Sequence, residues 1–361
     1  MAEATPRSGQ PPSWAEIPRD LAGKVLSLLP AHADRVRFAA VCPQWRAAAR
    51  QLRLPRPMPI VALPDGTVYS FPDGKPLHFP GLDLAGFKTA CGSWLVFLRD
   101  DDCFLVDPFA GATVTLPALS RVRLIPPDAV QTYVQFGTMI MFHPFATWLH
   151  IIQPNKTPVM NKLILCSPNL VAALASSTIS SAGQNSQIIL CKPGAASWSV
   201  LANEKCQVFE DMAFYRGKLY VIAQDENLLV VNISEDPSTG DPQVFQVEQV
   251  IKGDPFHTDI HSAVKKKLYL VESCGTLLMV RRKVCCREVG SELMAGQSEF
   301  EVFKADLEQS KWMSVTTLGD DQMLFLGHDR APEPDVIMVV TSLMESVQII
   351  LTEIRFFNDS D

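Results

Sequence analysis

Hydrophobic positions recur with one spacing near the start of the chain and with another spacing after it. Between residues 14 and 52 apolar side chains return every three or four positions among Arg, Ala and Asp, which predicts short amphipathic helices. From residue 60 onward, runs of β-branched and aromatic residues are separated by Gly, Pro and Asp, a pattern that indicates strands and tight turns. The chain therefore divides into a small all-α unit followed by a mainly-β domain.

The helical segment is predicted to contain three helices. The first begins near Pro18, ends at Pro30 and has an apolar face made of Ile17, Leu21, Val25, Leu28 and Leu29. Asp34 is expected to cap the second helix, and Pro43 to start a third whose inner face is Trp45, Ala48, Ala49 and Leu52. A unit of about 39 residues buries little more than half of its surface. Some of its apolar surface should therefore face a partner, as in a docking module.

The mainly-β domain contains a repeat. Leu219 and Tyr220 align with Leu268 and Tyr269 at an offset of 49 residues, and the same offset aligns Leu228, Leu229 and Val231 with Leu277, Leu278 and Val280. Tryptophans at 198 and 312 each follow a polar turn, as in an outer blade strand. A period of about 40 to 50 residues built from β-hairpins is typical of a β-propeller, with kelch repeats near the upper end. Residues 60–327 then supply about six blades at roughly 45 residues each, and we expect a kelch-like propeller.

The remaining segments set the domain boundaries. Residues 1–13 are rich in Pro, Gly and Gln and are expected to be disordered, whereas residues 53–59 have proline at every second position and predict a semi-rigid linker. The tail, residues 328–361, has two prolines near its start and mixed periodicity. We expect this divergent tail not to complete the propeller.

Residues 14–46 resemble an F-box, in particular the form found in plants. The positions that carry the resemblance are Ile17, Pro18, Leu21, Leu28, Leu29, Asp34, Arg35, Phe38, Val41, Cys42, Trp45 and Arg46. The remainder resembles the KIB-type β-propeller of plant F-box proteins, formerly a domain of unknown function, over stretches that start at Gly92, Leu268 and Phe300.

The resemblance implies a function. It implies the substrate-recognition subunit of an SCF-type cullin E3 ubiquitin ligase, with the F-box bound to a Skp adaptor, and through it a cullin scaffold, while the propeller binds a target protein. It implies neither a catalytic residue nor a cofactor nor a metal. The expected adaptor-binding residues are Ile17, Pro18, Leu21, Val25, Leu28, Leu29, Arg35, Phe38, Val41, Cys42, Trp45 and Arg46.

Charge and cysteine content narrow the choice of partners. With 32 basic against 39 acidic residues the net charge is −7, so binding to nucleic acid or to an anionic membrane is not expected. Residues 14–52 are an exception, with six basic and three acidic residues, which favours an acidic adaptor. Nine cysteines without a C-x-x-C pair, and no apolar run of spanning length, predict a cytoplasmic or nuclear protein.

Motifs of catalysis are missing from the sequence, which contains no G-x-S-x-G, P-loop or H-E-x-x-H pattern. Four groups could suggest chemistry: His257, Asp259 and His261; Asp100 to Asp102; Cys285 and Cys286; and the basic residues 265–267 with 281–283. Turns, loops and exposed hairpins explain each of them more simply. The alternative function is a propeller-based binding protein or small-ligand enzyme whose helical head is a cap without a ligase role.

Deleting residues 1–13 should leave adaptor binding unchanged, because nothing apolar in this segment could anchor it to the helices. Co-purification of a Skp adaptor with the shortened chain is the measurement. Loss of the adaptor on this deletion alone would contradict the assignment of these residues as dispensable.

Overall fold

The computed structural model describes residues 17–52, 60–63, 65–70, 74–99, 102–125, 132–136, 139–143, 159–176, 186–201, 208–253, 264–273, 275–289, 292–316 and 349–351. It confirms the predicted fold class, three helices followed by a β-propeller. Residues 1–13 and the linker at 53–59 lie outside the described residues, so the expectations for both remain predictions.

The helical module consists of α1 (Arg19–Ser27), α2 (His32–Ala40) and α3 (Pro43–Gln51). Its small core contains Ala22, Leu26, Phe38 and Ala48, and the Phe38 and Trp45 rings lie 4.3 Å apart. The predicted start of α3 is confirmed: Cys42 occupies the N-cap, and its Sγ accepts a hydrogen bond from the Trp45 backbone N–H at 3.5 Å.

The prediction that Asp34 caps the second helix is wrong. Helix α2 begins at His32 after an Ala31 N-cap that makes no side-chain hydrogen bond. Asp34 instead lies in the first turn, where its carboxylate is 2.6 Å from Nη1 of Arg37. A carboxylate in the first turn also interacts favourably with the helix dipole, so Asp34 stabilises the helix from within it.

Five sheets of four or five strands account for most of the described strands and are close to the expected count of about six blades. Blade 1 contains β1 (Ile60–Ala62), β2 (Val68–Ser70), β3 (Lys75–Leu77) and β23 (Ile349–Leu351), and blade 2 contains β4 (Thr89–Cys91), β5 (Trp94–Arg99), β6 (Asp102–Asp107) and β7 (Ala112–Leu116). Blade 3 contains β11 (Val159–Ser167), β12 (Leu170–Ser176), β13 (Ser186–Cys191), β14 (Trp198–Leu201) and, at its edge, β8 (Val122–Ile125). Blade 4 contains β15 (Phe209–Tyr215), β16 (Lys218–Ala223), β17 (Leu228–Glu235) and β18 (Pro242–Ile251), and blade 5 contains β19 (Val264–Ser273), β20 (Thr276–Val289), β21 (Glu292–Asp306) and β22 (Lys311–Val315). Strands β9 (Thr132–Phe136) and β10 (Met139–His143) form a separate pair.

The middle strands of the blades are apolar on both faces because each face packs against a different neighbour. In β16, Leu219 and Val221 belong to the core shared with blade 3, whereas Tyr220 and Ile222 belong to the core shared with blade 5. Successive side chains of a strand point to opposite faces. A strand buried on both faces therefore appears in the sequence as a continuous apolar run instead of an alternating one.

Polar side chains join neighbouring blades at defined points. Trp198 of blade 3 donates from Nε1 to the Pro117 carbonyl after blade 2, at 2.8 Å, and Trp312 of blade 5 donates to the Glu226 carbonyl of blade 4, at 2.9 Å. Both tryptophans lie in the fourth strand of their blades, which is the outer strand of blade 5 but lies inside β8 in blade 3. Trp94 does not share that position, because it begins the second strand of blade 2.

The repeat found at an offset of 49 residues is one strand out of phase with the blades. It aligns Leu219 with Leu268, but β16 is the second strand of blade 4 and β19 is an edge strand of blade 5. The strands that occupy the same place in the two blades are β15 and β19. They also contact each other, because the Asp211 carboxylate accepts a hydrogen bond from the Leu270 backbone N–H at 2.7 Å. Successive hairpins of a blade resemble one another enough for sequence similarity alone to match the wrong pair.

The tail adds a strand to blade 1. Strand β23 pairs in parallel with β1, with Ile60 opposite Ile349 and Ala62 opposite Leu351. Residues 349–351 of the tail therefore form a strand, whose apolar run matches the buried β1. That the tail as a whole does not complete the propeller stays a prediction. Residues 317–348 and 352–361 lie outside the described part of the chain.

A buried ion network joins blades 4 and 5. The Glu226 carboxylate accepts hydrogen bonds from Nε and Nη2 of Arg281 and from Nζ of Lys266, and Arg281 also donates to Glu301 at 2.7 Å. The side chains of Arg281 and Glu226 are 3% and 2% exposed. Burial alone would lower the pKa of Arg281, but the bonds to both carboxylates outweigh it and raise the pKa.

The basic residues 265–267 and 281–283 therefore do not form an exposed hairpin, as the sequence suggested. Arg281 and Arg282 are both buried, and Glu226 from the neighbouring blade neutralises Arg281. That partner lies 55 positions away in the chain, which local charge patterning could not reveal.

Replacing Glu226 with Ala should lower the free energy of unfolding by about 3–5 kcal/mol, since it leaves Arg281 buried without its main counter-charge. Chemical denaturation of the full chain measures this. The matched control is Glu301→Ala, where the carboxylate is 40% exposed and a loss of about 0–1 kcal/mol is expected. Equal losses in the two variants would show that the Glu226 contact is not the dominant one.

Candidate adaptor-docking surface

Large apolar side chains are exposed on the helical module in unusual number. Of the ten exposed large hydrophobic residues in the described part of the chain, half lie in or beside these three short helices. They are Leu21 (45% exposed), Val25 (38%), Leu28 (78%), Val36 (52%) and Val41 (61%), here called the docking face. They remain exposed although the propeller is present, so the propeller does not cover them. Concentrated exposed apolar surface is typical of a protein-interaction site.

The geometry of α1 explains why these side chains point outward. Ala22 and Leu26, four positions apart, are fully buried, and Leu21 and Val25 lie on the adjoining side of the same helix. The other two helices are so short that they can cover only one narrow stripe of α1. The remaining apolar positions stay at the surface.

Two arginines join the ends of the helices. Nε of Arg35 donates to the Leu29 carbonyl at 2.7 Å, and Nε of Arg46 donates to the Ala39 carbonyl at 3.2 Å. Partial burial lowers the pKa of Arg35. Both contacts satisfy carbonyls near the end of a preceding helix, which have no partner within that helix. The two residues thereby fix the helices that carry the docking face.

The predicted adaptor-binding residues fall into two groups. Exposed positions are Pro18, Leu21, Val25, Leu28, Val41 and Arg46, and buried or half-buried positions are Ile17, Leu29, Arg35, Phe38, Cys42 and Trp45. The sequence placed Leu21, Val25 and Leu28 with Ile17 and Leu29 on one apolar face of the first helix; the structure exposes the first three and leaves the other two half-buried. Val36 belongs to the docking face but was not among the predicted binding residues, because helical spacing alone cannot tell an outward valine from an inward one. Binding of the adaptor by any of these residues remains a prediction.

The groups that could suggest chemistry do not form a site in the described part of the chain. No cluster of three His, Cys, Asp or Glu side chains suited to a metal ion occurs among the described residues. His257, Asp259, His261, Asp100 and Asp101 lie outside them, and Asp102 begins β6. The backbone of Cys285 and Cys286 belongs to β20. Burial raises the pKa of the Cys103 and Cys166 thiols to about 12, so neither is a ready nucleophile near neutral pH.

The helical module contacts the propeller through aromatic rings. The His32 ring at the start of α2 lies 5.3 Å from the Phe109 ring after β6, edge to face, and Phe109 lies 5.2 Å from Phe79. Burial, and then the charge of Arg35, lower the pKa of His32. The neutral ring is therefore favoured at this contact, which joins the docking module to blade 2.

The fold and the docking face define a class of protein, an F-box-type helical module attached to a β-propeller. Residues 14–57 match the family described as "F-box domain", and residues 63–334 match the family described as "KIB1-4 beta-propeller". The second match covers most of the chain. The chain belongs to the KIB1-4 beta-propeller family.

Relatives that this chain matches over most of their length are named as F-box proteins. The chain is 22% identical to the F-box protein At2g26160 of Arabidopsis thaliana, over 87% of this chain and 88% of that one. It is 21% identical to F-box only protein 7 of the same plant, over 92% and 85% respectively. It is thus similar to plant F-box proteins along nearly its whole length.

A solved structure with some similarity is the PQQ-bound aldose sugar dehydrogenase of Streptomyces coelicolor. It is 10% identical, with a TM-score of 0.23, and the match covers 75% of this chain and 92% of that one. This similarity is too low to support an inference about activity. No helix in the described part of the chain is long and apolar enough to cross a membrane.

The His32–Phe109 contact should appear as a coupling energy. In a double-mutant cycle with His32→Ala and Phe109→Ala, the free energies of unfolding should depart from additivity by about 0.5–1.5 kcal/mol, as for other aromatic pairs. The control cycle pairs His32→Ala with Phe300→Ala on blade 5 and should be additive. Additivity in both cycles would contradict the contact between the helical module and blade 2.

Proposed function

We propose that this chain is the substrate-recognition subunit of an SCF-type cullin E3 ubiquitin ligase. Its helical module binds a Skp adaptor, which connects it to the cullin scaffold, and its propeller binds a target protein. The chain itself performs no catalytic step. The observation that carries the proposal is the docking face, an apolar surface on a module that matches the F-box family.

The energetics of the docking face support a protein partner. Complete burial of a Leu or Val side chain contributes about 1.5–3 kcal/mol, and each 1.4 kcal/mol changes an affinity tenfold. Five such side chains, even partly covered, provide enough free energy for a stable complex. The partner must have a complementary apolar groove.

Charge supports an acidic partner. Residues 14–52 contain six basic and three acidic residues in a chain of net charge −7. Arg19, Lys24, Arg37, Arg46 and Arg50 are all exposed, so they can contribute to the rate and orientation of association with an acidic adaptor.

The propeller supports the role of a rigid platform. Four cores, each shared by two consecutive blades, join blades 1 to 5 in order. Their surface strands and loops can vary without disturbing the cores. The alternative, a small-ligand enzyme with a helical cap, is not favoured by any observation on the described residues.

Introducing a charge into the docking face should abolish adaptor binding without unfolding the chain. We expect Leu28→Asp combined with Val41→Asp to prevent co-purification of a Skp adaptor, because both side chains are more than half exposed in the free chain and an acidic partner would repel the new carboxylates. Stability should fall by no more than about 1 kcal/mol per site, because both residues are helix C-caps, where the helix dipole disfavours a carboxylate.

Two controls make the result specific. Leu82→Asp introduces the same charge at an exposed leucine of the propeller and should leave the adaptor bound. Trp45→Ala removes an aromatic side chain from the module core and should cost about 3–5 kcal/mol, so adaptor binding is lost together with folding of the module. If the adaptor stays bound to the Leu28/Val41 variant, or binds a propeller that lacks residues 14–52, the proposed function is wrong.

A further inference from the structure

The outer strand of blade 4 has an irregular register. In the pairing of β17 with β18, Ile233 is opposite Val244 and Asn232 is opposite Gln246. Asn232 and Ile233 are consecutive in β17, but the residues opposite them in β18 are two positions apart. Phe245 is therefore the extra residue of β18. This arrangement is a β-bulge, which locally disrupts the ladder and redirects a side chain.

A large aromatic side chain at the bulge is exposed to solvent. Val244 is 3% exposed and packs in the core between blades 3 and 4, whereas Phe245 next to it is 70% exposed, the highest value for an exposed aromatic residue in the described part of the chain. Gln246 is exposed as well, so the alternation of buried and exposed positions is interrupted directly after Phe245. An aromatic side chain displayed in this way is suited to fill a pocket on another protein.

The turn that leads into β18 is bonded to blade 3. Nη1 of Arg123 on β8 donates to Asp236 at 2.5 Å, and Arg123 also lies 3.6 Å from Asp241, so blade 3 holds both ends of the β17–β18 turn. Nζ of Lys192 also donates to the Gly240 carbonyl in that turn. A surface that is already ordered loses little conformational entropy on binding.

The charge around Phe245 is acidic. Residues 235–252 contain four acidic residues and one lysine. Arg123 neutralises Asp236 and Asp241, whereas Glu235 and Glu248 are exposed. Among the described strands, β18 forms an edge of its sheet and pairs with β17 alone, so its outer backbone groups are available to an extended segment.

We propose that Phe245, Gln246, Glu248 and Gln249 of β18, together with Glu235, form a docking surface for an extended segment of a protein that has basic and apolar side chains. This surface is called the β18 surface. The inference rests on the proposed function, because the bound segment would belong to the target protein. Phe245 provides the apolar anchor, the exposed carboxylates select basic side chains, and the strand edge sets the extended conformation.

The test uses a library of random twelve-residue peptides displayed on phage and selected on the full chain. The recovered peptides should be enriched in Lys or Arg together with large apolar residues, and synthetic copies should bind in fluorescence anisotropy. Phe245→Ala and Glu248→Lys should each weaken binding at least tenfold. Phe300→Ala, at another exposed phenylalanine, should leave it unchanged.

Three results would overturn the proposal: no peptide is recovered, the recovered peptides bind the Phe245→Ala variant as tightly as the unchanged chain, or their composition is neutral or acidic. Self-association of the full chain that Phe245→Ala abolishes would also overturn it, since the surface would then bind a second copy. Adaptor binding is measured on the same variants. It should be unaffected by Phe245→Ala, so failure of the β18 surface and failure of the ligase role give different results.

Discussion

Burial of both faces of the middle strands is the constraint on which the propeller depends. Strand β12 contributes Val171, Ala173 and Ala175 to the core with blade 2, and Ala172 and Leu174 to the core with blade 4. A blade separated from its neighbours would expose two apolar faces, so no blade is stable alone. Each blade instead stabilises the next, and polar contacts such as those of Asp211 and Trp198 fix the angle between them. The surface of the propeller is consequently free to vary, since few of its exposed residues contribute to the cores.

The helical module, in contrast to the propeller, does not bury most of its apolar residues. Its core of Ala22, Leu26, Phe38 and Ala48, with Trp45 at its edge, is too small to cover the apolar residues of three helices. The uncovered residues form the docking face, and the contact of His32 with Phe109 connects the module to blade 2. In the proposed complex, an adaptor would complete a core that the chain leaves incomplete. The incomplete core thus explains both the marginal stability expected of the module and its capacity to bind.

Sequence patterns predicted the class of the fold and the location of the docking module because both depend on local periodicity. They also predicted the start of α3 at Pro43. They failed where the determining contact is distant in sequence. Glu226 and Arg281 are 55 positions apart, and β23 reaches β1 from the other end of the chain. Leu28 is exposed and Arg281 is buried because of the residues that pack, or do not pack, beside them. Residue type alone would predict a buried leucine and an exposed arginine.

Glu226 shows how a contact between residues distant in sequence can determine the arrangement of two blades. Its backbone φ is 65°, a left-handed conformation that is costly for a residue other than glycine. That conformation directs the carboxylate to Arg281 and Lys266 while the Glu226 carbonyl accepts from Trp312. Apolar cores hold blades together without specifying a unique angle, since many packings of aliphatic side chains are nearly equal in energy. A buried charge pair tolerates only geometries that keep it satisfied, so the strained turn at Glu226 fixes the angle between blades 4 and 5. The bulge at Phe245 lies in the same blade, and its position relative to the rest of the propeller depends on that angle.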